Sequence, residues 1–376
     1  MEIVVHHRIS DINAEQWNAL LNDNNPFMRH EFLHGLEVSR CVCVQTGWHP
    51  AHLAAYSDQS KTTLLGAMPC YIKDHSYGEY IFDWSWADAH HRHGIEYYPK
   101  LSNAIPFTPA SGPRYLGSKD VITELLKFAI DVVEDKQLSG LHSLFIEQDQ
   151  CPSYTDSGLL LRHSSQFHWH NRNYQDFDEF LTKLSSKKRK NIKRERRRIK
   201  ESDIQYDWLS GDQLDELAVT SMYEFYQRTI HYYGAQSYLN LAFFKHLAAN
   251  FSKQTLFLFA KHKEQTIAGG LYFKSNHTLY GRYWGALANF HSVHFETCYY
   301  QAIDWCIEHG YQHFEAGAQG EHKLARGLEP SKTWSAHWIR HPGFRSAIGD
   351  FLEQEQDHLN NYQSQLQKHS PFKVEI

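Results

Sequence analysis

The chain has six cysteines in 376 residues and no CxxC pair, which leaves neither a disulfide framework nor the usual spacing of a zinc site. No stretch approaches the roughly 20 uninterrupted apolar residues of a membrane-spanning helix. The opening Met1-Glu2-Ile3-Val4-Val5-His6-His7 has no basic segment followed by an apolar one and a cleavage site. These absences give the expectation of a cytoplasmic protein with no membrane span and no metal. Charge of one sign is scarce too. Lys and Arg number 38 against 43 Asp and Glu, a net charge of −5, so attraction to a polyanion has to be local. What is present fits a globular protein: 41% hydrophobic, 14% aromatic and 22% charged residues. The length is enough for two domains.

Apolar spacing predicts helices near residues 14–21 and 30–38, then strands over 51–56, 62–72 and 79–86 separated by turn-prone segments. A helix over 89–102, a proline-rich loop at 106–114, a helix over 121–133 and a strand at 143–147 complete the first half. The second half repeats the order. Helical periodicity covers 176–201, 214–229 and 239–250; strands follow at 255–261, 266–273 and 278–284, then a helix at 296–308 and a strand at 311–315. A strand at 334–339 and a helix at 344–359 close the chain. This recurrence predicts two α/β domains of the α+β type, residues 1–165 and 166–376, each a mostly antiparallel mixed sheet flanked by helices.

Three segments carry candidate chemistry. Residues 316–330, AGAQGEHKLARGLEP, follow a short strand, a common place for binding groups. Gly317 and Gly320 permit close backbone approach. Glu321 or His322 is suited to take a proton from an attacking amine. Lys323 and Arg326 are suited to hold negative charge, with Gln319 as a neighbouring polar group. Residues 187–200, KKRKNIKRERRRIK, are Lys or Arg at ten of fourteen positions, with Ile192 and Ile199 one heptad apart. Such density favours a polyanion, with Arg189 and Arg194 among its contacts. Tyr283, Trp284, Glu296 and Tyr299 offer aromatic and polar groups for a substrate channel. Arg114, in the 106–114 loop, is a further candidate for an anion. The histidines at 90, 91 and 93 point in different directions on one helix and do not compose a metal site.

The sequences LSSKKRKNIKRERRRI (184–199), PFTPASGPR (106–114), WHN (169–171), HFETCYYQAIDWCIEHG (294–310) and EAGAQGEHKLARGLEP (315–330) resemble those of FemAB-like proteins of the GNAT acyltransferase superfamily. The resemblance covers nearly the whole chain and implies two GNAT-like domains, the C-terminal one carrying the active site. It implies an acyl- or aminoacyltransferase acting on an amine such as that of a cell-wall precursor. The related Fem enzymes use aminoacyl-tRNA and a nucleotide-linked precursor, a pair that suits the basic run. No tightly bound cofactor is implied; acyl-CoA and aminoacyl-tRNA are the two donor classes. Residues 285–292 lack the Q/R-x-x-G-x-G/A loop with which acetyl-CoA enzymes bind pyrophosphate, which points away from acetyl-CoA. The competing expectation is a non-catalytic protein that recognises RNA or a peptidoglycan precursor.

Overall fold

The computed structural model describes residues 1–288, 290, 292–318 and 320–373. The chain divides into two compact units, Met1–Ser165 with Lys332–Tyr362, and Gln166–Ser331 with Gln363–Ile376. In chain order the strands of the first part are β1 (Glu2–His6), β2 (Trp48–Pro50), β3 (His52–Tyr56), β4 (Leu64–Met68), β5 (Cys70–Lys73), β6 (Lys100–Asn103), β7 (Leu116–Gly117) and β8 (Gly140–Ile146). They are followed by β9 (Leu160–His170), β10 (Ile204–Ser210), β11 (Thr255–His262), β12 (Gln265–Lys274), β13 (Thr278–Ala286), β14 (His313–Glu315) and β15 (Glu329–Ile339).

In the first unit β1, β3, β4 and β7 form an antiparallel sheet. A second set runs β15-β8-β6-β5-β2, in which only β6 and β8 are parallel. The helix Lys119–Asp135 buries Ile122, Leu125, Leu126, Ala129, Val132 and Val133, the three- and four-residue spacing of one helix face. Sequence alone placed 332–362 in the second domain. The structure returns it to the first, because Trp334–Ile339 pairs with β8 and buries Ala336 and Ile339 there.

The second unit has the order β10-β11-β12-β13-β14-β9, antiparallel except for the parallel pair β13 and β14. Both units thus carry the mixed, mostly antiparallel sheet flanked by helices expected of a GNAT-like domain. The helix Glu216–Tyr232 lies so close on β13 that a Cβ at Gly285 would meet the carbonyl oxygen of Phe225 at 1.9 Å. Only glycine fits there.

Several local expectations change. The strand expected over 62–72 is two strands, β4 and β5, in different sheets and broken at Pro69, which has no N–H to give a ladder. No strand forms at 79–86; those residues lead into the helix Trp84–Arg92, and the supposed helix 89–102 ends in β6. The long helix expected over 176–201 is two, Phe177–Lys183 and Ser186–Glu201, parted where Leu184 bridges Phe372.

Candidate functional site

Strands β13 and β14 pair from Thr278 and His313 to Tyr280 and Glu315. β14 then stops while β13 continues to Ala286, so the parallel pair opens just where the glycine-punctuated segment begins. That segment winds into the short helix Glu321–Arg326. Its residues divide sharply by exposure. Glu321 and His322 are exposed, whereas Lys323 and Arg326 are buried. Gly320 has φ of +111°, and a Cβ there would lie 2.7 Å from Cε1 of His322, so glycine lets the imidazole rest against the backbone. Gln319 lies outside the described residues.

Lys323 Nζ donates to the carbonyl oxygens of Gly317 at 2.7 Å and Ala318 at 3.2 Å, fastening the loop from within. Burial pushes its pKa down to about 8, opposed by the nearby Cys298. An unfolded lysine titrates near 10.4. Between those values the unfolded chain holds a proton that the folded chain has released, so stability rises with pH across this window. Lys323 should therefore contribute up to roughly 3 kcal/mol more stability at pH 10 than at pH 7. The Lys323→Met variant should lose this slope, which paired urea titrations at several pH values would check.

Arg326 stacks its guanidinium 3.4 Å over the Phe295 ring and donates through Nη1 to the His322 carbonyl at 2.9 Å. Its Nη2 faces both carboxylate oxygens of Glu195 at 3.4 Å, and the Tyr300 hydroxyl also donates to Glu195. The imidazole of His322 pairs through Nε2 with the Tyr299 hydroxyl at 2.9 Å. Burial, then Arg326 and Lys323, hold His322 below the ordinary histidine value. His294 lies 6.4 Å from His322 and 4.6 Å from Trp284, ring to ring. Burial, then His322, Arg326 and Lys323, lower its pKa to about 4. Both rings are neutral at pH 7 as a result. Beside them is a cavity of about 700 Å³ whose wall includes Trp284, His294, Tyr232 and Tyr233.

Sequence reasoning thus brought Tyr299, His322, Lys323, Arg326, Gly317, Gly320 and Trp284 to one place. The other candidates lie elsewhere. Arg114 is 1% exposed and spends its guanidinium on the carbonyls of Leu144, Pro113 and Ala110 in the first unit, so it faces no ligand. Glu296 is 2% exposed and accepts from Arg196 at 3.1 Å and Gln301 at 2.8 Å, a buried ion pair rather than a channel group. Tyr283 packs edge-on to Tyr226 at 4.9 Å. Arg189 and Arg194 stand apart on the helix Ser186–Glu201, among the basic residues lining a shallow hollow of about 520 Å³.

Glu195, Arg196 and His294 were missed. The signal for the first two was available: in a helix they fall on the same face as Ile192 and Ile199, which are 1% and 5% exposed. Arg196 also reaches Asp304 at 2.9 Å. One turn of π-helix, Glu296–Tyr300, turns Glu296 to Arg196, Tyr299 to His322 and Tyr300 to Glu195. Removing Arg196 as Arg196→Leu strands the Glu296 carboxylate in the core, an expected loss of about 3 kcal/mol. The double variant with Glu296→Leu should recover most of it, as measured by chemical denaturation.

Among the described residues, no group of three or more His, Cys, Asp or Glu is placed to hold a metal ion, and no helix is long and apolar enough to cross a membrane. No curated protein matches the chain. Among solved structures, FemX aligns over 93% of this chain and 100% of its own, with 11% identity and a TM-score of 0.55. L-PGS from Bacillus licheniformis aligns over 88% of this chain and 98% of its own, with 10% identity and a TM-score of 0.53. The C-terminal domain of a lysylphosphatidylglycerol synthetase from Agrobacterium fabrum covers 89% and is 94% covered, at 9% identity and a TM-score of 0.52. At such identities these likenesses speak for the fold. The sequence itself matches, over residues 8–374, the FemAB-like family of peptidoglycan biosynthesis/recognition, and the chain belongs to that family.

Proposed function

We propose that the chain is an acyl- or aminoacyltransferase that acts on an amine of a cell-wall precursor, with His322 as its base. The observation that carries this reading is an imidazole held below its ordinary pKa by partial burial and two neighbouring cations, 6.4 Å ring to ring from His294 in the wall of a cavity. In the tautomer whose Nε2–H donates to the Tyr299 oxygen, Nδ1 keeps its lone pair for the acceptor. Glu321 is exposed beside it on the same short helix. The amine nitrogen attacks the acyl carbonyl and gives its proton to Nδ1. A C–N bond forms, the bond from the acyl carbon to its carrier breaks, and His322 returns the proton to the leaving oxygen or sulfur. Lys323 and Arg326 supply positive potential for the oxyanion, and their bonds to Gly317, Ala318 and His322 hold the loop in shape.

The outer face of the basic helix, with Arg189 and Arg194, suits a polyanionic carrier, so aminoacyl-tRNA is favoured over acyl-CoA as the donor. The family's description also includes recognition, which supports a second reading, a protein that binds the precursor without chemistry. The deciding experiment offers labelled aminoacyl-tRNA, or labelled acetyl-CoA, together with a nucleotide-linked peptide. Label on the acceptor amine is expected from the first donor. Saturable binding of the peptide with no label transferred from any donor would leave the recognition reading.

A further inference from the structure

The wall of the cavity beside His294 is more apolar than polar. The rings of Tyr232, Tyr233, Trp284 and Phe290 contribute to it, and Arg228 also lines it. Tyr232 and Tyr233 are 82% and 75% exposed and meet each other edge to face at 5.1 Å. Large rings left this open in a folded chain gain free energy when an apolar ligand covers them. The cavity is also continuous with the reacting groups, since Trp284 and His294 belong both to its wall and to the ring cluster that contains His322. Its volume of about 700 Å³ far exceeds what a hydrogen or a methyl side chain fills. Arg228, exposed and in the wall, opposes a cationic group.

We propose that this cavity receives the side chain of the transferred acyl group and selects a large apolar or aromatic one over small and cationic ones. The inference rests on the transfer chemistry proposed above and adds the identity class of the group transferred. Tyr232, Tyr233 and Trp284 are its specificity-determining residues. Hydrophobic pockets discriminate by roughly 10- to 200-fold for each methylene-sized difference, so a phenylalanyl or leucyl group should exceed glycyl or alanyl by at least about 100-fold in kcat/KM.

The test has a binding arm and a transfer arm. N-acetylphenylalaninamide, N-acetylalaninamide and N-acetyllysinamide are titrated into the protein and followed at the Trp284 indole resonance, assigned with Trp284→Phe. The phenylalanine probe should bind at least about tenfold more tightly than the alanine probe, and the lysine probe most weakly. Tyr232→Ala with Tyr233→Ala should erase the preference without unfolding the chain, because neither ring is in the core. Equal binding of the alanine or lysine probe, or a preference that survives the double variant, overturns the inference. In the transfer arm, glycyl or lysyl donors outpacing phenylalanyl ones would overturn it while leaving the transferase reading intact. Selective binding of the phenylalanine probe with no donor consumed would instead sink the transferase reading and keep the cavity's preference.

Discussion

Lys100→Met is expected to destabilise the first unit by about 3–5 kcal/mol, the largest loss that any single substitution away from the candidate site should cause. Lys100 Nζ lies 2.8 Å from Glu79, 2.5 Å from Asp83 and 2.8 Å from the Ser76 hydroxyl, with both ion-pair partners almost wholly buried. Tyr97 adds a donor to Asp83 at 2.7 Å. Burial works against the Lys100 charge, but the two carboxylates outweigh it and hold the ammonium above its ordinary value. Asp83 is likewise held below the usual carboxyl range, burial being overcome by Lys100. Methionine leaves two carboxylates facing each other in a dry interior. The signs of the shifts fix the pH window. The Asp83 contribution is complete above about pH 4 and fades as pH falls; the Lys100 contribution is complete below about pH 10 and fades as pH rises. Urea denaturation should show the deficit across that window. Restoring neutrality with Glu79→Gln and Asp83→Asn should recover much of it.

The same ion cluster explains where the sequence misled. Residues 79–86 alternate like a strand, yet Glu79 and Asp83 are held by a lysine that lies 17 positions beyond Asp83, and a helix begins at Trp84. Local periodicity carries no trace of such a partner. It does carry the helices His30–Val38 and Lys119–Asp135, because each buries one apolar face and little else decides them. Strands β11 to β13 were legible for the same reason: a meander needs only neighbours and turns. At the site, spacing within residues 316–327 located His322, Lys323 and Arg326 together, since they share one short helix. It was blind to exposure within that helix, and so it did not separate the buried Lys323 and Arg326 from the exposed Glu321 and His322. His294 was beyond reach, because its nearness to His322 depends on a π turn and on the packing of Trp284. The basic run shows a different failure. Ten cations over fourteen positions hide that Glu195 and Arg196, half-buried beside Ile192 and Ile199, reach Arg326 and Glu296.

His322→Gln is expected to lower kcat by about 10²- to 10⁴-fold, with KM and melting temperature nearly unchanged. Glutamine can keep a hydrogen bond to Tyr299, so the loop stays in place and only proton transfer is lost. Tyr299→Phe should cost less, because it frees the tautomer without removing the base. The pH profile separates this role from structural damage. A base works deprotonated, and His322 is held below the ordinary histidine value, first by burial and then by Arg326 and Lys323. The acid limb of kcat/KM should therefore fall below pH 6.5, the ordinary histidine pKa. Removing one of the cations that depress it, as in Arg326→Leu, should move that limb upward in pH as well as reduce the maximum. A variant that merely loosened the loop would lower the whole curve and leave the limb where it was. An acid limb that stays fixed in Arg326→Leu, or a His322→Gln enzyme with wild-type kcat, would assign the proton to another group. Glu321, exposed on the same short helix, would be the next to replace.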